Sequence, residues 1–157
     1  MNGDSDTAAF AITAGTDDDR DWAAGLMAAS EPWISLGRGI EACRAACQRP
    51  DCFLYVARDA HGRAGFALVN PRGVAGAPYL AAIAVAPEWR DRGIGAALMA
   101  YCEGQAARTS RHFFLCVSSF NTRARAFYER QGFRRVGEFD DYIIDGASEV
   151  LMHKRVR

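Results

Sequence analysis

A run of small apolar residues, Tyr79 to Val85, leads through Arg90-Asp91-Arg92-Gly93-Ile94-Gly95-Ala96 into a helix-forming stretch that reaches Arg108. This strand–turn–helix succession constrains the fold more than any other part of the chain. Glycines let the turn backbone approach a ligand closely, and the first amides of the helix point outward with partial positive charge. Such a turn is built to hold a pyrophosphate. Glycine turns before helices are common, so the remaining elements must say which one.

Periodicity supplies those elements. Ala8 to Ala14 alternates as a strand, and Asp17 to Asp19 offer capping oxygens to a helix with Trp22, Leu26 and Met27 on one face, ended near Ser30 by Pro32. A second helix is expected over Ile40–Gln48. Cys52–Arg58 and Ala64–Asn70 read as a hairpin across Asp59-Ala60-His61-Gly62. Pro71–Pro78 reads as a Gly/Pro-rich connection. His112–Ser118 is a further strand, and Asn121 caps a short helix that stops at Gly132. Arg134–Ile144 and Val150–Val156 complete the sheet across an Asp145-Gly146 turn. The expected fold is α/β (α+β), a mixed, mostly antiparallel sheet of about seven strands flanked by four helices. Residues 1–7 are expected to be a flexible N-terminus and 8–157 a single domain.

Bulk properties narrow the class. The 157 residues carry 19 basic and 19 acidic side chains, so nothing argues for general nucleic-acid attraction. Arginines do gather at 123, 125, 130, 134 and 135, which reads either as a solvated face or as a phosphate-meeting patch. The five cysteines lack paired metal-type spacing and the three histidines are scattered, so no metal site is expected. No stretch resembles a signal peptide or reaches membrane-spanning length, and free thiols suit a reducing compartment, so the expected location is the cytoplasm, with no membrane partner.

Two motifs in order then carry a resemblance. Ile83-Ala84-Val85-x-Pro87-x-x-Arg90-x-x-Gly93-Ile94-Gly95-Ala96 precedes Asn121-x-x-Ala124-x-x-Phe127-Tyr128-x-x-x-Gly132-Phe133. Together, on these elements, they resemble the GCN5-related N-acetyltransferase (GNAT) family over nearly the whole chain. The resemblance implies acetyl-CoA as co-substrate and an amine acceptor. It implies that Ile83, Ala84 and Val85 pair with the pantetheine arm by strand addition. The amides of Asp91, Arg92, Gly93, Ile94, Gly95 and Ala96, after Arg90, would hold the pyrophosphate. Asn121 would contact pantetheine or position the thioester, with Phe127 and Tyr128 beside it. An N–H near Val85 would polarise the thioester carbonyl. A homodimer is the assembly that analogy with such enzymes implies.

Chemistry fits those assignments. A thioester is already activated, so transfer needs a neutral amine, an oxyanion donor and a proton for the departing thiolate. A thiol titrates at about 8.5 and a tyrosine at about 10, so Tyr128 is able to protonate the thiolate. Cys116 need not be a nucleophile and reads as a packed thiol. Blander readings stay open: Asn121 as a cap alone, Tyr128 as a core aromatic, Arg90 as a cap of its own loop. A nucleotide or nucleic-acid binder would need a GxxxxGK[ST] loop or a recognised module, and neither is present.

A weaker similarity points to enzymes that acetylate protein N-terminal amines, including ribosomal-protein acetyltransferases, through Pro32-Trp33 and the Asp141–Met152 ending. Where those bacterial enzymes carry a strand glutamate proposed as base, this chain has Cys116. Glu138, Asp140, Asp141 and Glu31 are the replacement candidates. Without the glutamate, the expectation leans toward a weakly basic acceptor: a peptide N-terminus near 7.7–8.0 or an aminosugar, over a lysine-like amine near 10.4. Polyamines, aminosugars and amino acids stay open as small-molecule acceptors, as does a non-catalytic acyl-CoA-binding module.

Overall fold

Alternating burial along successive strands, broken by capped helices, gives the described residues 10–157 of this computed structural model one continuous sheet. The elements are β1 (Ala11–Ala14), α1 (Asp17–Ala28), α2 (Ile40–Cys47), β2 (Phe53–Asp59), β3 (Gly62–Val74), β4 (Ala77–Val85), α3 (Ile94–Ala107), β5 (His112–Ser118), α4 (Thr122–Arg130), β6 (Arg134–Phe139) and β7 (Glu149–Arg155). The seven strands lie in the order β1-β2-β3-β4-β5-β7-β6. Only β4 and β5 run parallel; every other neighbouring pair is antiparallel. The mixed seven-stranded sheet with four helices is the architecture expected from the sequence. The expected loose start at 1–7, and the first two residues of the expected first strand, lie outside the described residues.

Each face of the sheet has its own core. On one, Leu98, Met99 and Cys102 of α3 pack with Phe113, Leu115 and Val117 of β5 and Val150 and Met152 of β7. On the other, Ala23, Ala24 and Met27 of α1 and Cys43 and Cys47 of α2 pack on Leu54, Val56, Phe66, Leu68 and Ala82. Ala64 to Val69 is buried without a break because helices cover both of its faces. Gly65 is required there: a Cβ would lie 2.8 Å from the Ala84 carbonyl oxygen and 3.3 Å from Leu98 Cδ1.

Three local expectations are corrected. The cap of α1 is Thr16, not an aspartate: its hydroxyl accepts from the Asp19 N–H at 3.3 Å, and Asp19 accepts from the Thr16 N–H at 2.9 Å. Pro71–Pro78 is not a loose connection, since β3 runs on to Val74 and turns at Ala75-Gly76 into β4. Proline is tolerated because pairing skips from Asn70↔Tyr79 to Val74↔Ala77, so no ladder bond needs the missing N–H. Finally, β6 ends at Phe139. Residues 140–148 form a loop closed by Asp141, whose carboxylate accepts from the Gly146 N–H at 2.6 Å.

Asp19 ties α1 to the sheet. Its carboxylate is 1% exposed and accepts from Arg58 at 2.6 Å and Arg63 at 2.7 Å. Burial pushes its pKa up, but Arg58, the Thr16 amide and Arg63 outweigh burial and hold it well below the usual carboxylate range. With a folded pKa below the unfolded one, this stabilisation is complete above about pH 4 and fades as pH falls through the interval below it. Asp19→Ala leaves two guanidiniums without their acceptor. It is expected to cost about 3 kcal/mol, the low end for a broken buried pair because both arginines keep contact with water. Urea unfolding at pH 7 measures the loss, and a midpoint equal to that of the parent chain would refute it.

Candidate functional site

The site begins where two strands part. β4 pairs with β5 only at Tyr79↔Phe114 and Leu80↔Leu115, then continues to Val85 beside β3 alone. Ala81 is an extra residue there, because Leu80 faces Val69 while Ala82 faces Leu68. A bulge adds twist and ends pairing, so the β5-facing edge of β4 beyond it has no strand partner. Ile83, Ala84 and Val85 line the cleft of about 860 Å³ that opens between the strands.

The glycine turn closes one end of this cleft. Asp91 (φ 63°) and Gly93 (φ 78°) take left-handed conformations and swing the chain into α3. Gly93 supplies no capping side chain and the first turn holds no acid, so the Ile94, Gly95 and Ala96 amides are left without an intrahelical or side-chain acceptor. A Cβ on Gly95 would sit 3.5 Å from Phe127 and 3.8 Å from Val85, inside the cleft. Arg90, Asp91, Gly93, Ile94, Gly95 and Ala96 all line it, with Arg123 and Arg130. Arg90 donates to the Val85 carbonyl at 3.3 Å, and Asp91 meets Arg123 at 3.5 Å. Arg92 is not part of the lining; its guanidinium lies 5.2 Å from the Trp89 ring centre.

Helix α4 forms the opposite wall. Asn121 caps it, accepting from the Ala124 N–H at 3.3 Å, which leaves its side-chain NH₂ free to donate. Phe127 and Tyr128 follow nearly two turns later, with ring centres 5.5 Å apart, and all three residues line the cleft. Burial alone pushes the Tyr128 phenol far above its ordinary value, so it stays a proton donor across the physiological range.

The other end of the cleft holds a residue that the sequence reading missed. Glu149, the first residue of β7, pairs with Ser118 of β5 and Phe139 of β6; it is 7% exposed and lines the cleft. Burial pushes its pKa up, and Ser118 and Arg38 pull it partly back. Cys116 and Tyr79 lie beside it and line the same cleft. Of the four carboxylates expected as bases, only Glu31 lines the cleft. Asp141 is engaged by its loop and Glu138 faces Arg135 at 4.0 Å. The signal for Glu149 was its phase: in Glu149-Val150-Leu151-Met152, it alternates with core residues and shares a face with Cys116. Trp33 is a core plug, 8% exposed with one edge on the cleft, whereas Tyr142 is 68% exposed at the rim. Among the described residues, no three His, Cys, Asp or Glu side chains converge as a metal site, and no helix is long and apolar enough to cross a membrane.

Comparison with known proteins matches this geometry to a family. The model of the acetyltransferase (GNAT) family matches residues 18–133. The ribosomal-protein-S18-alanine N-acetyltransferase of Escherichia coli superposes with a TM-score of 0.75 at 21% identity, covering 94% of each chain. Arabidopsis thaliana NAA60, solved with acetyl-CoA, superposes with a TM-score of 0.75 at 16% identity, over 94% of this chain and 98% of its own. A nourseothricin acetyltransferase is 32% identical over 69% of this chain and 67% of its own, with a TM-score of 0.63. No curated protein matches the chain by sequence.

Cys116 is the only one of the five free cysteines that is not buried. Burial pushes its thiol up, the Tyr79 hydroxyl pulls it down and the Glu149 charge raises it again, with a net upward shift. It is a packed neutral thiol, not an activated nucleophile. A maleimide is expected to label Cys116 first in the native protein, at a rate still climbing above about pH 8.5. A rate already level at neutral pH would reveal a thiolate and overturn this assignment.

Proposed function

The chain belongs to the acetyltransferase (GNAT) family, and from that premise we propose that it moves an acetyl group from acetyl-CoA directly onto a primary amine. The observation that carries this reading is the unpaired edge of β4 followed, after the turn at residues 86–93, by the uncapped amides of α3, with Tyr128 on the opposite wall. The residues fit the co-substrate. Ile83, Ala84 and Val85 offer a strand edge to an extended, amide-containing arm. The Ile94, Gly95 and Ala96 amides offer three donors to a pyrophosphate, with Arg90, Arg123 and Arg130 adding positive charge at the rim.

Each wall then has a task in the reaction. A backbone N–H of the β4 edge near Val85 donates to the thioester oxygen as negative charge develops there. Asn121 keeps its cap and directs its NH₂ to the pantetheine arm or the thioester. Tyr128 hands its proton to the departing thiolate; the raised phenol pKa guarantees that the proton is present, and a thiol near 8.5 is formed in exchange.

The proposed acceptor is a protein N-terminus. Exposed Ile34 and Tyr142 stand at the acceptor end of the cleft, where the side chains that follow a reacting α-amine would lie. A small-molecule amine is the second reading, favoured by the 32% identity to a nourseothricin acetyltransferase. The cytoplasm is the proposed location, in keeping with five free thiols. Release of CoA thiol from acetyl-CoA, measured across peptides, aminosugars, polyamines and amino acids, decides the acceptor. Release with none of them would sink the transfer reading.

Tyr128→Phe is expected to lower turnover by about 10²-fold while leaving the CoA dissociation constant unchanged. Unaltered turnover would remove Tyr128 from the acid role. Gly95→Leu places a side chain against Phe127 and Val85 in the path of the arm. It is expected to weaken CoA binding at least about tenfold, or about 1.4 kcal/mol, by calorimetry. An unchanged affinity would move the pyrophosphate elsewhere.

A further inference from the structure

The geometry points to Glu149, with the Ser118 hydroxyl beside it, as the acceptor-ammonium site: the carboxylate receives the incoming R–NH₃⁺ and takes its proton. The inference rests on the acetyl-transfer reading above and adds to it a residue beyond the segment matched by the family model, which ends at 133.

Three observations converge. Glu149 lies in the middle of three paired strands, so its backbone is fixed on both sides while its side chain lines the cleft. Directly across the ladder, Ser118 is 2% exposed and lines the same cleft; its hydroxyl sits close enough to Glu149 to pull that carboxyl's pKa down, yet it makes no hydrogen bond of good geometry to any described residue. With its proton turned toward Glu149, the hydroxyl keeps its oxygen lone pairs to accept from a ligand N–H donor. Of the carboxylates that line the cleft, Glu149 is the buried one, whereas Glu31 and Asp91 are exposed. Arg38 approaches from the α1–α2 connection, Cys116 from β5 and Tyr79 from β4, with Tyr142 of the β6–β7 loop beside Tyr79. Burial holds the Cys116 thiol and the Tyr79 phenol in their neutral forms near pH 7, so the negative charge of Glu149 is offset only by exposed Arg38. An ammonium carries three donors and one positive charge, which suits a carboxylate and a hydroxyl on one wall.

The proton inventory closes. One N–H bond of the ammonium breaks and its proton passes to the Glu149 carboxylate, leaving the electron pair on nitrogen. That pair forms the C–N bond while the C–S bond breaks toward sulfur. Tyr128 protonates the thiolate, the second nitrogen proton returns through water to the Tyr128 phenolate, and Glu149 releases its proton to solvent. One proton is liberated per acetyl group moved. Partial burial suits Glu149 to this work, because desolvation makes the carboxylate a stronger base than an exposed one. The consequence for substrate class is direct: amines as basic as a lysine side chain, near 10.4, become accessible.

The test compares Glu149→Gln with the parent enzyme on two acceptors, a peptide α-amine near 8 and an alkyl amine near 10. The expected result is a fall in kcat/KM at pH 7 of about 10²-fold, larger for the more basic amine, recovering as pH rises and the amine deprotonates in solution. CoA affinity by calorimetry should be unchanged. An equal loss on both amines with an unshifted pH profile would reduce Glu149 to a structural role and overturn the inference. Ser118→Ala gives a second handle if Glu149→Gln does not fold: it should raise KM for the acceptor with kcat nearly kept, and an unchanged KM counts against the site. A parent enzyme that acetylates no amine overturns the transfer reading itself, whereas a parent that does so with a fully active Glu149→Gln overturns only this assignment.

Discussion

The separation of β4 from β5 after Leu80 is the constraint on which the rest of the molecule depends. Two parallel neighbours that stayed paired would close the sheet and leave no room between them. Here the bulge at Ala81 turns β4 away, and α3 packs beneath the strands it has left. The same event produces both halves of the cleft. An unpaired strand edge is an aggregation hazard when exposed, and here it faces a cleft that a ligand's own amides are able to complete. Gly65 permits the remaining β3–β4 pair to hold tightly under Leu98, so the parting is borne by a rigid neighbour rather than a loose one.

Much of this was legible in the sequence because its signals are local. The glycine turn, the Asn121 cap, the boundaries of β5 and the apolar runs of β3 and β4 each depend on residues within a few positions of one another. Misreadings arose where distant partners decide. Pro71 looked like a loop residue because nothing local tells that β4 skips the bulged segment. The Asp17–Asp19 run looked like a cap, but Asp19 is drawn inward by Arg58 and Arg63 from β2 and β3, so Thr16 takes the terminal position. Glu149 carried only a phase signal for a similar reason: the β5–β7 register is what places it opposite Ser118.

The proposed acid and the proposed base are set apart in this cleft by environment rather than by residue type. Tyr128 is enclosed by aromatic rings and has no charged neighbour, so its proton stays on. Glu149 is likewise pushed toward its protonated form, but Ser118 and Arg38 limit the shift and keep it able to ionise. A donor on the α4 wall and an acceptor at the start of β7 therefore face the same space with complementary proton preferences. Pairs of titratable groups driven toward different tasks by their surroundings are the recurrent signature of acid–base sites.

This arrangement also changes what selects the acceptor. A cysteine in place of a strand glutamate left a basic amine without an evident proton acceptor, which favoured weakly basic substrates. With a carboxylate supplied from β7, basicity no longer discriminates among amines, and selection passes to shape. The surfaces available for that are the 31–38 connection, with Trp33 anchored in the core and Ile34 exposed, and the 140–148 loop, with Tyr142 stacked 5.2 Å from Phe139. Neither segment contributes a strand to the sheet, so each is free to vary without disturbing the β4–β5 parting. In the proposed reading, the donor half is built into the sheet and the start of α3, and the acceptor half hangs on two connections beside a fixed carboxylate. One scaffold is thereby able to keep its acyl donor while its amine substrate changes.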